Sequence, residues 1–149
     1  MADKKSIKFE IATPERVLFK QEVLQVTVPT QAGEITVLPD HVPLVSIIKP
    51  GILEIKTIDQ ETEIIAVSGG FIEVMLGKIV VLADTAERAS ELDEARVEEA
   101  RQRAEEAKAE ALNHSGYDLS AVAAKLEVEM ARERALHKWR RLNNINPGK

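Results

Sequence analysis

At 149 residues, the chain has the length of one ordinary domain or of two small ones. Its 44% hydrophobic and 30% charged residues are typical of a folded globular protein rather than a disordered or membrane-spanning one. It has no cysteine, which excludes disulfides, thiolate catalysis and Cys-based zinc sites. A net charge of −5 and 3% aromatic residues argue against nucleic-acid binding.

Nothing in the sequence indicates insertion into a membrane. The apolar runs fall well short of the roughly 20 residues that a spanning helix needs. Residues 1–6 include lysines, but no apolar stretch follows them, so no secretory signal is expected. A cytoplasmic protein is therefore the first expectation.

The first half of the chain alternates apolar and polar residues with a period of two, which predicts half-buried strands. Pro29 is expected to end one run because it cannot donate to a ladder. Turn-forming pairs such as Gly69-Gly70 separate the runs, and the connections are too short for crossover helices. These features predict an antiparallel β sandwich or barrel. The predicted strands are 7–11, 24–28, 34–38, 44–48, 52–58, 63–67, 71–76 and 79–83.

Between Asp84 and Ser90 the apolar period changes from two to about 3.6, which predicts helices. Ser90 and Asp93 fit a capping box, so a first helix is expected to start at Ser90 and to stop near Asn113. Asp118 is expected to start a second helix, which ends before residues 146–148. The sequence thus predicts a β-sandwich domain at 1–86 and an antiparallel helical hairpin at 87–149.

Each predicted helix carries a stripe of mostly alanine. Because each buried methyl contributes only about 0.8 kcal/mol, such a hairpin is held weakly, and we expect it to open or re-dock at low cost. The first stripe is Val97, Ala100, Ala104, Ala107 and Ala111, and the second is Ala124, Val128, Ala131, Ala135 and Leu142.

Few residues point to chemistry. Ser68 precedes two glycines as in a nucleophile elbow, but a strand rather than a helix follows, so a hairpin turn is favoured. Asp40 and His41 place an acid beside an imidazole, yet a metal site needs at least three protein ligands. A surface or interface role is therefore the preferred interpretation of His41, and no catalytic or metal-binding residues are expected.

The end of the second helix is locally basic, and two interpretations stay open. The cations are either a solvated group stabilised near a helix C-terminus or a docking surface for an acidic segment or a polyphosphate. Trp139 lies among them and either packs against a helix or anchors a partner. The basic residues are Arg132, Arg134, His137, Lys138, Arg140 and Arg141.

Three stretches together resemble a known family. They read GEITVLPDHVPLVSIIKPGIL at 33–53, VSGGFIEV at 67–74 and VLADTAER at 81–88, and the match continues through 91–96. They are similar to the epsilon subunit of the bacterial-type rotary F-type ATP synthase. The resemblance covers nearly the whole chain and implies a sandwich of about ten strands followed by two helices.

The resemblance implies a non-catalytic subunit of the central stalk, peripheral on the cytoplasmic face of the cell membrane. It would bind the gamma subunit and the c-subunit ring and couple ion-driven rotation to ATP synthesis. Its helical arm would extend toward the catalytic beta subunits and inhibit ATP hydrolysis. The implied interface residues are Glu34, Asp40 and His41 toward the ring and stalk, and Arg132, Arg134, Lys138, Arg140 and Arg141 on the arm.

Some bacterial members of this family bind ATP through a motif resembling I/L-D-x-x-R-A, whose core Leu92, Asp93 and Arg96 match. Val97 departs from its last alanine, and Lys138 stands where a further arginine is expected. The chain thus requires no cofactor, but a regulatory ATP is implied at Glu87, Asp93, Arg96, Arg103 and Arg134. Two alternatives to the stalk role stay open: an ATP-sensing module on this hairpin, and a small hydrolase using Ser68 or His41.

Overall fold

The computed structural model describes residues 5–145, so the basic start and the predicted helix stop at 146–148 lie outside the described residues. The described part forms nine strands: β1 (Ile7–Ala12), β2 (Val17–Thr30), β3 (Gly33–Val37), β4 (Leu44–Ile48), β5 (Gly51–Thr57), β6 (Thr62–Val67), β7 (Gly70–Met75), β8 (Lys78–Ala83) and β9 (Ala86–Arg88). A 3₁₀ turn at Ala89–Glu91 leads to helices α1 (Glu94–Asn113) and α2 (Leu119–Leu142).

The strands form a β sandwich with one contiguous apolar core, as the alternating pattern predicts. The strand order is β1-β8-β7-β4-β2-β5-β6-β9, and β3 pairs with β2. Every pair is antiparallel except β1 with β8, which the sequence did not reveal. Six strands lie between these two in the chain, so their parallel pairing needs no crossover helix.

Strand β2 is 14 residues long and differs from its prediction at two places. It continues through Pro29, which pairs with Glu34 and whose carbonyl oxygen accepts a hydrogen bond from the Lys49 amide at 3.0 Å. The expectation that Pro29 ends the strand was wrong, because only its missing N–H is lost from the ladder. A register shift between Val23 and Gln25 also makes Val23, rather than Leu24, the buried neighbour of Val26.

Strands β7 and β8 approach each other so closely at Gly70 that no side chain fits there. Gly70 has φ +134°, and a Cβ built on it would lie 2.1 Å from the Leu82 carbonyl oxygen. Beside it, the Ser68 hydroxyl accepts hydrogen bonds from the amide and the hydroxyl of Thr85, at 3.0 and 2.7 Å. Ser68 therefore joins the β6–β7 connection to the β8–β9 connection. The predicted hairpin turn was wrong, because β6 and β7 do not pair with each other.

The border region differs in detail from the predicted helix start. Strand β9 pairs with β6, so the sheet extends past residue 86 to Arg88. Ser90 lies in the 3₁₀ turn, and the N-cap of α1 is Asp93, whose carboxylate accepts a hydrogen bond from the Arg96 amide at 3.0 Å. The predicted start at Ser90 was wrong because the capping box requires a residue at N3 that bonds back, and Asp93 instead caps the helix itself.

The two helices form the predicted hairpin, with the predicted end at Asn113 and Asp118 as the N-cap of α2. The stripes are only partly buried. Val97, Ala104, Ala111, Ala131 and Ala135 are buried, as predicted. Ala107, Ala124 and Leu142 are instead exposed, whereas Leu126 and Leu136, which the stripes omit, are buried.

Charged pairs reinforce this small seam between the helices. Arg101 Nε lies 2.8 Å from Glu133 Oε2, and Arg140 Nη1 lies 2.7 Å from Glu94 Oε2. The hydrogen bond of Arg101 with Glu98 lowers the pKa of that carboxyl and raises the pKa of Arg101. Helices α1 and α2 are therefore joined by interhelical ion pairs as well as by their alanine stripes.

Replacing Gly70 tests whether close strand approach fixes the β7–β8 hairpin. Gly70→Ala is expected to cost roughly 2–5 kcal/mol of unfolding free energy, since left-handed strain and a backbone clash add. Gly33→Ala is the matched control, because Gly33 also has a positive φ, +122°, but open space around its Cβ position. It should lose only about 1–3 kcal/mol. Equal losses in urea unfolding would contradict the clash.

Candidate interaction site on the docked second helix

Helix α2 lies against the face of β5 and β6, and a small apolar cluster fills the contact. Ala135 packs with Ile64, Ala66 and Ala89, which are all buried. Trp139 is half-buried against the same cluster. The tryptophan therefore packs within this chain in the docked hairpin, the ordinary one of its two interpretations.

Two cations of α2 form ion pairs with carboxylates on the strands of the β sandwich. Lys138 Nζ donates to Glu54 Oε2 of β5 at 2.5 Å. Arg132 Nε donates to Glu87 Oε2 at 2.7 Å, and its Nη2 donates to the other oxygen of the same carboxylate at 3.3 Å. A bidentate guanidinium–carboxylate pair holds its geometry better than a single contact does.

Arg132 also neutralises a buried acid of its own helix. Glu129 is only 9% exposed, and its carboxylate lies 2.9 Å from Arg132 Nη1. Burial lowers the pKa of Arg132, but the hydrogen bond with Glu129 and the charge of Glu87 outweigh it and raise the pKa. Because Arg132 stays protonated, losing it would leave Glu129 as a buried, unpaired charge.

Half of the six basic residues at the end of α2 are thus paired within the described part of the chain. Arg132, Lys138 and Arg140 all form ion pairs, whereas Arg134 and Arg141 form none within residues 5–145. While the hairpin is docked, Arg132, Lys138 and Arg140 are therefore occupied within the chain, whereas Arg134 and Arg141 stay exposed and available to a partner. An acidic partner would have to compete with Glu54, Glu87 and Glu94.

The predicted interface loop lies apart from α2, between β3 and β4. Glu34 is exposed on β3, and Asp40 takes a left-handed backbone, φ +67°, which acidic residues tolerate. The Asp40 carboxylate pairs with Lys5 at 2.7 Å rather than with His41. His41 Nδ1 lies 2.6 Å from the Val42 carbonyl oxygen, so Asp40 and His41 form no acid–imidazole couple.

Sequence reasoning missed an exposed apolar face on β4, β7 and β8. Ile47 is paired with Phe71, and Phe71 with Leu82, so their side chains form a row across three strands. Val45 extends the row along β4 and is 69% exposed. The available signal was that Val45, Ile47, Phe71 and Leu82 fall at outward positions of these strands, where a solvated sheet face usually carries polar residues.

The five residues of the predicted ATP site do not converge in the docked hairpin. Asp93 caps α1, Arg96 is exposed beside it, and Arg103 pairs with Glu99 on its own helix. Glu87 is held by Arg132, and Arg134 lines a separate cleft. The structure also shows no cluster of His, Asp or Glu suited to a metal ion within residues 5–145.

None of the helices in the described part of the chain is both long and apolar enough to cross a membrane.

The comparison with known proteins shows the class of protein to which the chain belongs. The family model of the β-sandwich domain of the ATP synthase delta/epsilon chain matches residues 6–89. The ATP synthase epsilon chain of Chloroflexus aggregans is 46% identical over 137 residues, which are 91% of this chain and 96% of that protein. That of Bordetella petrii is 41% identical over 95% of this chain and 99% of that protein. The chain belongs to the family of ATP synthase epsilon chains.

Solved structures share the fold. A chain of the mitochondrial ATP synthase of Euglena gracilis, solved as an OSCP/F1/c-ring assembly, superposes with a TM-score of 0.76 at 24% identity, covering 89% of this chain and 82% of that one. A chain of the Tetrahymena thermophila central stalk and c-ring gives 0.60 at 11% identity, covering 91% and 99%. As an epsilon chain, the protein is a non-catalytic subunit of its complex, as the sequence predicted.

A double-mutant cycle measures how firmly Lys138 and Glu54 hold the hairpin. The two side chains are 35% and 34% exposed, so we expect a coupling energy of about 1 kcal/mol from Lys138→Gln, Glu54→Gln and the double variant. The control cycle uses Arg103 and Glu99, which are 72% and 60% exposed within one helix and should couple by about 0.3–0.5 kcal/mol. The free energy of unfolding in urea provides the readout for both cycles, because global unfolding breaks both pairs. A coupling no larger than the control would show that this pair does not hold the helix down.

Proposed function

We propose that this chain is a central-stalk subunit of a rotary ATP synthase, peripheral on the cytoplasmic face of the membrane, which couples ion-driven rotation to ATP synthesis. Membership of the epsilon-chain family supports this role, and chains of the same fold belong to an F1/c-ring assembly and to a central stalk. We propose the gamma subunit, the c-subunit ring and the catalytic beta subunits as its partners.

The observation that carries the stalk role is the exposed apolar row Val45, Ile47, Phe71 and Leu82. A soluble monomer rarely exposes such a contiguous apolar face unless another protein covers it. The strands that carry the row pack their opposite side chains into the core, so the face is stiff and suited to transmit torque. The loop with Asp40 and His41 then supplies the polar part of the contact with the ring.

The helical hairpin is proposed to act as a brake on ATP hydrolysis. When it docks on β5 and β6, Arg132 and Lys138 are occupied by Glu87 and Glu54 of the strands. When it leaves, the same cations become available to an acidic segment of a beta subunit. Docked and extended states therefore compete for one set of charges, and small changes in either partner shift the balance.

Removing the hairpin should speed ATP hydrolysis, whereas undocking the intact hairpin should slow it. A reconstituted synthase with the chain ending at Arg88 should hydrolyse ATP severalfold faster than the enzyme with the whole chain. Glu54→Lys should slow hydrolysis, because it repels Lys138 and undocks the hairpin without removing its cations. Glu10→Lys is the control, since Glu10 pairs with Lys78 on strands that α2 does not contact.

The outcome separates the brake from the stalk role. Unchanged hydrolysis after truncation would refute inhibition by the hairpin, while the truncated chain still co-purifying with the c-subunit ring would support the apolar contact. A truncated chain that never joins the complex would refute the assignment of that contact to the strands.

Binding of a regulatory ATP stays a prediction, and tryptophan fluorescence tests it. Arg96 is exposed next to the cap of α1, and Trp139 reports on the docking of α2, so ATP binding at this site should change the tryptophan fluorescence. Arg96→Ala should abolish that change, because it removes the guanidinium that would hold phosphate oxygens. Lys125→Ala on α2 is the charge control. An unchanged signal at millimolar ATP would eliminate the ATP-sensing alternative.

A further inference from the structure

Three connections between strands lie at the same end of the sandwich. Segment 23–26 of β2 pairs with the start of β1 at Ile7 and with the end of β5 at Thr57. The same segment pairs with Val37, the last residue of β3. The carbonyl oxygen of Gly77, in the β7–β8 turn, accepts a hydrogen bond from an amide of β1 at 3.3 Å. The connections at this end, which we call the loop end, are 38–43, 58–61 and 76–77.

Each connection of the loop end exposes a large apolar side chain. Leu38 and Val42 are exposed on the first, Ile58 on the second and Leu76 on the third. Leu76 is 81% exposed, more than any other large apolar residue that the structure describes. Turns usually carry glycine, proline and small polar residues, so these side chains indicate a surface that a partner covers.

The end of α2 reaches the same end of the molecule. A cleft of about 410 Å³ lies between it and the β5–β6 turn, with Gln60 and Glu61 on the side of the turn and Trp139 and Leu142 on the side of the helix. Leu142 is exposed, like Ile58 at the start of that turn. The β5–β6 turn thus links the exposed side chains of the loop end to the last turn of α2.

We propose that the end of α2 is part of the surface that contacts the c-subunit ring, and that the ring therefore holds the hairpin in its docked position. This inference rests on the proposed function, which assigns the loop with Asp40 and His41 to the ring. That loop is the first connection of the loop end, so a ring that covers it also faces the β5–β6 turn and Leu142. Apolar side chains from three connections and one helix then meet a single partner, and their burial stabilises the contact.

Ring binding and docking of the hairpin are coupled in this arrangement, because Leu142 belongs to the surface only while α2 is docked. A ring that binds the docked chain more tightly shifts the hairpin toward docking, and undocking weakens the ring contact by the same factor. Leu142 is about half exposed, and burying that half of a leucine changes an affinity about fivefold. The hairpin therefore acts as a brake only after it gives up this part of the ring contact.

Cross-linking in the reconstituted synthase tests the proposal, since the chain has no native cysteine and can be labelled before assembly. A photoreactive maleimide on Leu142→Cys should cross-link to the c subunit, whereas the same label on Leu112→Cys should not. Leu112 is the matched control, because it is an exposed leucine at the opposite end of the hairpin. Glu54→Lys, which undocks the hairpin, should remove most of the Leu142 cross-link. Val42→Cys, in the loop assigned to the ring, should cross-link with or without that change.

Binding of the full-length chain to the c-subunit ring in lipid nanodiscs supplies a second measurement. Leu142→Ser should weaken binding about fivefold, and Leu112→Ser should leave the affinity unchanged. A cross-link from Val42 but none from Leu142, equal yields from Leu142 and Leu112, or equal affinities of the two serine variants would overturn the proposal and leave the stalk role intact. If Val42 gave no cross-link either, the assignment of the ring as a partner would fail as well.

Discussion

The second helix touches the sandwich through a small apolar contact in which Ala135 and Trp139 lie on Ile64 and Ala66. Ion pairs flank this contact, with Lys138 reaching Glu54 and Arg132 reaching Glu87. A contact of this kind is specific in geometry but limited in strength, since partly exposed ion pairs contribute little. The placement of the whole hairpin depends on it, and so does any motion by which the hairpin could act.

The basic residues of α2 also take part in this contact. The chain is acidic overall, yet its last helix is basic, and the structure shows where that basic charge is used. Glu87, Glu94 and Glu129 each hold an arginine of α2, so the cations are not idle solvated groups. In the proposed function, an external acid would have to displace these internal carboxylates, so docking and partner binding would compete for the same cations.

The sandwich differs from the hairpin in rigidity. Its core is a continuous set of buried aliphatic residues, and Gly70 lets β7 and β8 approach to a distance that no side chain permits. On the far side of β4, β7 and β8, apolar side chains lie exposed on this stiff support. The exposed apolar row and the helical hairpin thus lie on opposite sides of the turn between Arg88 and Glu94.

The sequence by itself determined the class of each half, because periods of two and 3.6 follow directly from strand and helix geometry. It also determined the hairpin turn, since Gly116 and Asp118 act locally. Only the tertiary structure decided the parallel pairing of β1 with β8 and the burial of Leu126 and Leu136, which depend on contacts distant in the chain. The same holds for the pairing of Arg132 with Glu87, which lie 45 residues apart. No local rule brings a strand and a distant helix together, so these charges meet only in the folded chain.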